Sequence, residues 1–371
     1  MPRISPLHVS YSASLDDGGI ATSVSQLLKS QQAHGLFARW IASKKLMGCT
    51  HGETLSSRIQ SLDHSVLHLH GLWRRHTREL FQLNHLCRPA IIAPHGMLDR
   101  WAMANSSFKK LLAWHLWEKK SLSSALCFHA LCNAEADAIR EYLPKMPIAV
   151  IPNGVLPFHS EHLVREDLPP PPWSAQVPES DHVLLYLGRF HPKKGIEPLI
   201  SAWQSIVHWP AAKHWWLVFV GFGDDGKLQD QMRSHVVDRC IVLDPVFGRL
   251  KQSCLSAASS FVLPSYSEGL PMAALEAMSA SLPCLLTRHC NLPQAFISGA
   301  ALEIEPNQES IISGIKQLFA LSPKERTLMG RAGSQLVNQE FHWPSIAQQT
   351  LELYAWLADD MPRPDFVWEP A

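Results

Sequence analysis

The stretch Tyr266 to Ala277, YSEGLPMAALEA, carries two carboxylates, Glu268 and Glu276, on either side of a Gly-Leu-Pro step. Pro264 closes a buried-strand pattern and Ser265 to Glu268 form a loop. The spacing predicts a helix from about Gly269 or Leu270, with Pro271 accepted in its first turn because its missing N–H has no partner there. A helix start of this kind presents free backbone N–H groups and the positive end of a dipole, which makes an anion site. Glu268, at the rim, is suited to accept hydrogen bonds from sugar hydroxyls. Glu276, about 9 Å further along the helix axis, is suited to a ribose diol. An anion flanked by two polyol binders describes a nucleotide-sugar. The alternative is a capping acid at 268 followed by a solvated helix residue at 276.

Two other places carry matching chemistry. In LGRFHPKKGIEPLI (187–200), Gly188 and Arg189 stand at a strand end, and Lys193, Lys194 and Gly195 just ahead of a helix. An arginine fork and a lysine converging there neutralise a pyrophosphate; otherwise they are solvated surface cations. In DDGGI (16–20), a Gly-Gly turn before a helix lets backbone N–H groups approach a phosphate. GFGDDG (221–226) resembles a dinucleotide loop, but two acids stand next to where phosphate would lie, and their repulsion makes a dehydrogenase a poor reading. His68 and His70 share one strand face, and no third ligand spacing completes a metal site around them; His70 is assigned instead to an acceptor cleft.

The elements that must position these groups alternate between strand and helix. Runs at 7–13, 66–73, 90–98 and 148–154 read as strands, and 20–35, 106–122 and 134–142 as helices. That alternation predicts an α/β fold with a mostly parallel sheet covered on both faces. Ligands then bind at the carboxyl ends of strands, where Asp17 to Gly19, His70, His95 and Asn153 fall. The segment 156–180 holds EDLPPPPWSAQVPES, which continues neither a helix nor a central strand and opens a second unit. Five further strands are expected at 182–190, 215–223, 240–247, 260–265 and 282–287. The domains read from the sequence are 1–155 and 156–343, with a cleft between two such sheets.

Composition narrows the function classes. The 371 residues carry no formal net charge, which argues against a nucleic-acid partner. The eight cysteines (Cys49, Cys87, Cys127, Cys132, Cys240, Cys254, Cys284, Cys290) contain no C-x-x-C pair and read as buried hydrophobes in a reducing compartment. The N-terminal residues lack signal-peptide character and no apolar run is long enough to span a bilayer, so the expected location is cytoplasmic.

Together, EGLPMAALE, GRFHPKKG, GFG (221–223), IPNGV (151–155) and the N-terminal GGI resemble, in order and spacing, the retaining glycosyltransferases of family 4, which have the GT-B fold. The resemblance covers Leu7 to about Leu357. It implies two Rossmann-like, doubly wound domains facing a central cleft, and a final helix, about 344–358, that packs back on the N-terminal, acceptor-binding domain. By motif, Arg189 and Lys194 look like the diphosphate ligands and Gly19 like a backbone contact from the opposite domain. Glu268 looks like the sugar-hydroxyl ligand, with the backbone of Gly269 and Leu270 beside it, and Glu276 like the ribose ligand. His95, in PHGML, resembles the family's cleft histidine near the transferred sugar, and Asn153 sits at the interdomain crossing. His95, Arg189, Lys194 and Glu268 are the catalytic candidates. The resemblance implies a hexosyltransferase-type enzyme moving sugar from a nucleoside-diphosphate sugar to a glycan or lipid-linked acceptor in polysaccharide or lipopolysaccharide assembly. No metal or other cofactor is expected, in keeping with the lack of a D-x-D pair. The alternatives are a catalytically silent nucleotide-sugar or glycan-binding module and a sugar-nucleotide epimerase or phosphorylase on the same fold. The run 101–122 mixes Trp101, Trp114 and Trp117 with Lys109, Lys110, Lys119 and Lys120. It reads either as a helix lying peripherally on the inner face of an anionic membrane or as an ordinary amphipathic helix on the sheet.

Overall fold

In a computed structural model of the chain, the described residues are 4–14, 19–46, 54–80, 88–104, 107–158, 168–223, 237–359 and 361–369. The chain forms two compact units, Met1–Gly154 with Trp343–Ala371, and Val155–His342.

The first unit is built on β1 (Pro6–Ser10), β2 (Arg39–Ala42), β3 (Val66–His70), β4 (Ala90–Ala93), β5 (Cys127–Ala130) and β6 (Ile148–Val150). These pair in parallel in the order β2-β1-β3-β4-β5-β6, and the antiparallel strand Val367–Trp368 completes the edge beside β6. The strand order reverses between β1 and β3, which places the switch point of the sheet there. Side chains alternate between faces with a period of two. Leu7, Val9, Leu67, Leu69, Ile92 and Phe128 enter one core with Leu55, Ile59 and Leu122. Val66, Ile91, Cys127 and Ala149 enter the other with Leu27 of α1 (Gly19–Ala33) and Ile346, Leu353 and Tyr354 of the closing helix Trp343–Asp359. A parallel sheet covered on both faces is normally apolar on both. Here the second face also carries His8 and His68, paired in register across β1 and β3, together with His70 and His129.

The second unit contains β7 (His182–Leu187), β8 (Trp215–Val220), β9 (Cys240–Leu243), β10 (Ser260–Leu263), β11 (Cys284–Leu286) and β12 (Ala301–Glu303), all parallel, in the order β9-β8-β7-β10-β11-β12. Counted from β7 this is the dinucleotide-binding order 3-2-1-4-5-6, with its switch point between β7 and β10. The loops leaving these two strands touch, Tyr266 N donating to Lys193 O at 2.7 Å. Gly195 permits the approach: its φ is +67°, and a Cβ there would stand 2.0 Å from the Pro264 carbonyl oxygen.

Three corrections follow for the expected elements. The strands β2, β5, β12 and Val367–Trp368 were not anticipated; at two to four residues they are too short to display a period. The helix expected over 106–122 is Ser107–Ala113, a π turn Trp114–Glu118, and Lys119–Leu122. Trp114 and Glu118 are both buried, so Trp114 belongs to the core and is not available to a membrane surface. Among the described residues no helix is long and apolar enough to cross a membrane.

Candidate functional site

At the switch point of the second sheet, β7 delivers Arg189 and Lys194. The fully buried Tyr186 donates its hydroxyl hydrogen to Arg189 O at 2.9 Å, fixing the turn. Lys194 ends the 3-10 turn Pro192–Lys194, capped by the His191 Nδ1 that accepts from Lys193 N at 3.2 Å. α3 (Ile196–Ile206) follows directly. From the neighbouring β10 comes the Ser265–Glu268 loop. Lys194 Nζ donates to Glu268 Oε1 at 2.5 Å and Ser265 Oγ donates to the same oxygen at 2.6 Å. The two side chains of this pair are 15% and 6% exposed. The loop is pinned from behind: Glu268 N donates to His289 O (3.0 Å), Asn291 Nδ2 donates to Glu268 O (2.6 Å) and Gly269 O (3.1 Å), and Thr287 Oγ1 donates to Ser265 O (2.6 Å). Burial, reinforced by the nearby Glu268 charge, pushes the Tyr186 phenol well above its usual range.

The helix after this loop, α5 (Met272–Ser279), begins later than the spacing predicted, with Pro271 as its N-cap. Pro271 therefore lies outside the first turn, and Glu276 stands one turn into the helix. Glu276 is not the lone solvated acid of the alternative reading. Lys251 Nζ, from α4 (Gly248–Ala257), donates to its Oε1 at 2.6 Å, and the Glu276 side chain is 20% exposed. The structure thus brings Arg189, Lys194, Glu268, Gly269, Leu270 and Glu276 to the carboxyl ends of β7 and β10 and the start of α5. Chemically, a lysine already holding a carboxylate keeps two further N–H donors for an anion, and each glutamate keeps one oxygen for hydroxyl donors. Sequence reasoning missed Ser265 as a ligand of Glu268, Lys251 as the partner of Glu276, and Asn291. Ser265 lay within the quoted loop. Asn291 and Lys251 come from other elements, and no spacing announces them.

In the first unit Gly19 opens α1, with no heavy atom within 4 Å of where its Cβ would be. Asp16, Asp17 and Gly18, like Cys49, Cys87 and 224–226, lie outside the described residues. Asn153 follows β6 and is buried. His95 follows β4 in a tight turn with φ +55°, and Gly96 with φ +76°. That turn is held by Glu135 of α2 (Asn133–Tyr142), whose carboxylate accepts from Gly96 N at 2.6 Å and from Leu131 N at 2.7 Å. Burial pushes Glu135 up to about 7 even against these two donors.

His70 is not isolated with His68, as the spacing suggested. His8, from β1, supplies a third imidazole, and ligand atoms of His8, His68 and His70 lie within 4.8 Å of one another. A sequence scan cannot find this partner, because it pairs across strands. Every ring nitrogen of the three is nevertheless engaged. His8 Nδ1 meets His70 Nε2 (2.9 Å) and His8 Nε2 meets Gln31 Oε1 (2.8 Å). His68 Nδ1 meets the Tyr354 hydroxyl (2.8 Å) and His68 Nε2 meets His129 Nδ1 (3.3 Å). His70 Nδ1 meets His95 Nε2 (3.0 Å). An ion here would have to displace these bonds. Burial depresses all five rings, His8 and His129 to about 4 and His95 to about 3, so they are neutral near pH 7.

The chain matches the family model described as Glycosyltransferase Family 4 over residues 21–157 and the one described as Glycosyl transferases group 1 over residues 172–335. An uncharacterised glycosyltransferase of Methanocaldococcus jannaschii is 25% identical over 318 residues, covering 78% of this chain and 75% of that one. The lipopolysaccharide 1,2-N-acetylglucosaminetransferase of Salmonella typhimurium is 26% identical over 222 residues, so the match spans 56% of each chain. An Anabaena protein solved in complex with UDP and glucose superposes with a TM-score of 0.72 over 95% of this chain and 100% of that one, at 14% identity, a likeness of fold.

Proposed function

Since the chain belongs to the family 4, group 1 glycosyltransferases and has their GT-B architecture, we propose that it moves a hexosyl group from a nucleoside-diphosphate sugar to a glycan or lipid-linked acceptor, with retention at the anomeric carbon. The observation that carries this reading is the buried Lys194–Glu268 pair at the switch point, with Arg189 on the same strand end and the Glu276–Lys251 pair one helical turn beyond. Arg189 and the spare donors of Lys194 bind the diphosphate. The free oxygen of Glu268 accepts from a hydroxyl of the sugar, and that of Glu276 from the ribose.

In the transfer, the bond from the anomeric carbon to the diphosphate oxygen breaks as the acceptor oxygen bonds to the same face of that carbon. The acceptor proton passes to the departing diphosphate. Catalysis is then electrostatic, with Arg189 and Lys194 stabilising charge that grows on the leaving group. This chemistry requires no metal. The UDP and glucose of the Anabaena protein support the donor class, and the Salmonella relative supports an acceptor in lipopolysaccharide or polysaccharide assembly, on the cytoplasmic side. Leu111, Leu112 and Leu116 are 57%, 51% and 62% exposed beside Lys119 and Lys120, which favours a peripheral membrane contact and hence a lipid-linked acceptor.

Calorimetric titration with UDP, GDP, ADP and dTDP in chelator, on wild type and Glu276→Ala, tests the proposal. Binding of one nucleotide, weakened roughly tenfold or more in the variant, is the expected result. Binding of none would overturn the donor assignment and favour a silent glycan-binding module.

A further inference from the structure

The sheet face beneath α1 and the closing helix holds a set of hydrogen bonds whose direction is fully determined. Backbone carbonyls only accept, and a neutral imidazole has one N–H and one acceptor nitrogen. His129 Nε2 lies 2.7 Å from Ile151 O, so it carries the proton and His129 Nδ1 is an acceptor. His68 Nε2–H must then donate to His129 Nδ1, which leaves His68 Nδ1 to accept from the Tyr354 hydroxyl. With that hydrogen committed, the Tyr354 oxygen accepts from Gln31 Nε2 at 3.1 Å. Thr350 Oγ1 donates to Ala347 O at 2.9 Å and accepts the other Gln31 amide hydrogen at 3.0 Å. The Gln31 amide is therefore fixed with its oxygen toward His8. His8 Nε2–H donates to it, His70 Nε2–H donates to His8 Nδ1, and His95 Nε2–H donates to His70 Nδ1.

Seven bonds thus run one way, from His95 to the Ile151 carbonyl, across β4, β3, β1, α1, the closing helix, β3 again and β5. Gln31, His8, His68, His70, His129 and Tyr354 are all essentially buried, and no carboxylate takes part. The chain does not conduct protons: an amide interrupts it and a backbone carbonyl ends it. It does fix a tautomer at its open end. His95 lies at the carboxyl end of β4, the ligand-binding edge of such a sheet. Its ring is partly exposed, and among the described residues nothing is bonded to its Nδ1.

We propose that this one-way chain is a positioning device that holds His95 as the Nε2–H tautomer and presents its Nδ1 as a hydrogen-bond acceptor for a sugar hydroxyl of the bound substrate. The inference rests on the glycosyltransferase reading for the identity of the substrate, though not for the tautomer. A phosphate or carboxylate oxygen, which brings no hydrogen at neutral pH, meets only lone-pair repulsion at that nitrogen. A hydroxyl supplies the missing donor. His95 thereby selects a sugar hydroxyl against a diphosphate oxygen. His70, His8 and Gln31 are positioning residues that act through it.

Long-range proton–nitrogen correlation spectra of the full chain, labelled with 15N-histidine, report each tautomer without any ligand. The wild-type spectrum is expected to show His95, His70, His8, His68 and His129 neutral with the proton on Nε2. Gln31→Met removes the acceptor that orients His8, and should leave His95 as a mixture of tautomers. Tyr354→Phe removes a hydroxyl from the same buried region while Thr350 still holds Gln31, so His95 should keep its tautomer. Turnover is read separately as nucleoside-diphosphate release from UDP-, GDP-, ADP- and dTDP-glucose in turn; kcat/KM for the donor used should fall roughly tenfold or more in Gln31→Met, in the range of outer-shell substitutions, and much less in Tyr354→Phe. A wild-type His95 protonated on Nδ1, or a His95 tautomer unmoved by Gln31→Met, would overturn the proposal. If Gln31→Met does not fold, the wild-type spectrum still decides it. The expected tautomers with no turnover would instead count against the transferase reading.

Discussion

Lowering the pH from 7 to 5 should unfold the first unit while the second keeps its structure. The perturbation acts on buried imidazoles. Burial lowers His8, His76 and His129 to about 4 from an ordinary 6.5. A group depressed in the folded state contributes stability that is fully present above about 6.5 and is lost as pH falls toward its folded value, because only the unfolded chain takes up the proton. Between pH 7 and pH 5 each such histidine removes roughly 1.8 kcal/mol, or roughly 5 kcal/mol for the three. His68, His70 and His95 are shifted the same way and add to the loss. Glu118, raised by burial, opposes them, and so does Glu135. Raised to about 7, Glu135 is most favourable in the fold when protonated, so acidification returns roughly 2 kcal/mol. The net loss still exceeds about 3 kcal/mol, a large share of the roughly 5–15 kcal/mol that stabilises a domain. None of the described histidines of the second unit is fully buried. The assay is pulsed hydrogen-exchange mass spectrometry, with incubation at each pH and labelling at one common pH. Peptides from β1, β3 and β5 should lose protection between pH 6 and 5 while those from β7, β8 and β10 retain it. Protection of β1, β3 and β5 down to pH 4, or simultaneous loss in both units, would refute the reasoning.

Three further outcomes are expected. Lys194→Ala strands the Glu268 carboxylate in a site where it is 6% exposed, and should cost about 3–5 kcal/mol of stability; in a Glu268→Gln background the same change should cost far less, and equal costs in a denaturation double-mutant cycle would show that the pair is uncoupled. Gly195→Ala forces a Cβ to 2.0 Å from the Pro264 carbonyl oxygen at positive φ, and should lower stability by about 2 kcal/mol or more and weaken nucleotide binding with it; unchanged thermal melting would show that the loops are not pressed together. Leu111→Ser, Leu112→Ser and Leu116→Ser combined should abolish sedimentation with vesicles containing anionic lipid, and Lys119→Glu with Lys120→Glu should weaken it; wild-type protein that never sediments would remove the membrane contact.

How much of this was legible in the sequence depends on the range of the interaction. The strand-end loops at 187–195 and 264–270 are local, and their glycines, prolines and charges announce them, so the residues gathered at the switch point were readable by motif. The start of α5 was misjudged by two or three residues because Pro271 fits both an N-cap and a first turn. Partners supplied by other elements gave no signal: Lys251 for Glu276, Asn291 for the Glu268 loop, His8 for His68. The histidine pair in VLHLH was visible, but its meaning was not, since cross-strand register and the closing helix decide it. Short edge strands were invisible for a related reason, their stability coming from neighbours and not from their own residues.

The seven-bond chain also has a consequence for how the protein is made. Its members lie as far apart as His8 and Tyr354, and Gln31 reaches its amide partners across more than three hundred residues. The second unit is a single continuous segment, Val155–His342, and is complete before the closing helix exists. On a ribosome, where domains fold as units in order of emergence, the unit that begins first therefore finishes last. Until the closing helix arrives, the four-histidine face of β1, β3 and β5 lacks one of its two covering helices. Its rings are then free to change tautomer. Substrate-ready chemistry at His95 is thus withheld from every nascent chain that has not yet reached Thr350, which holds the Gln31 amide.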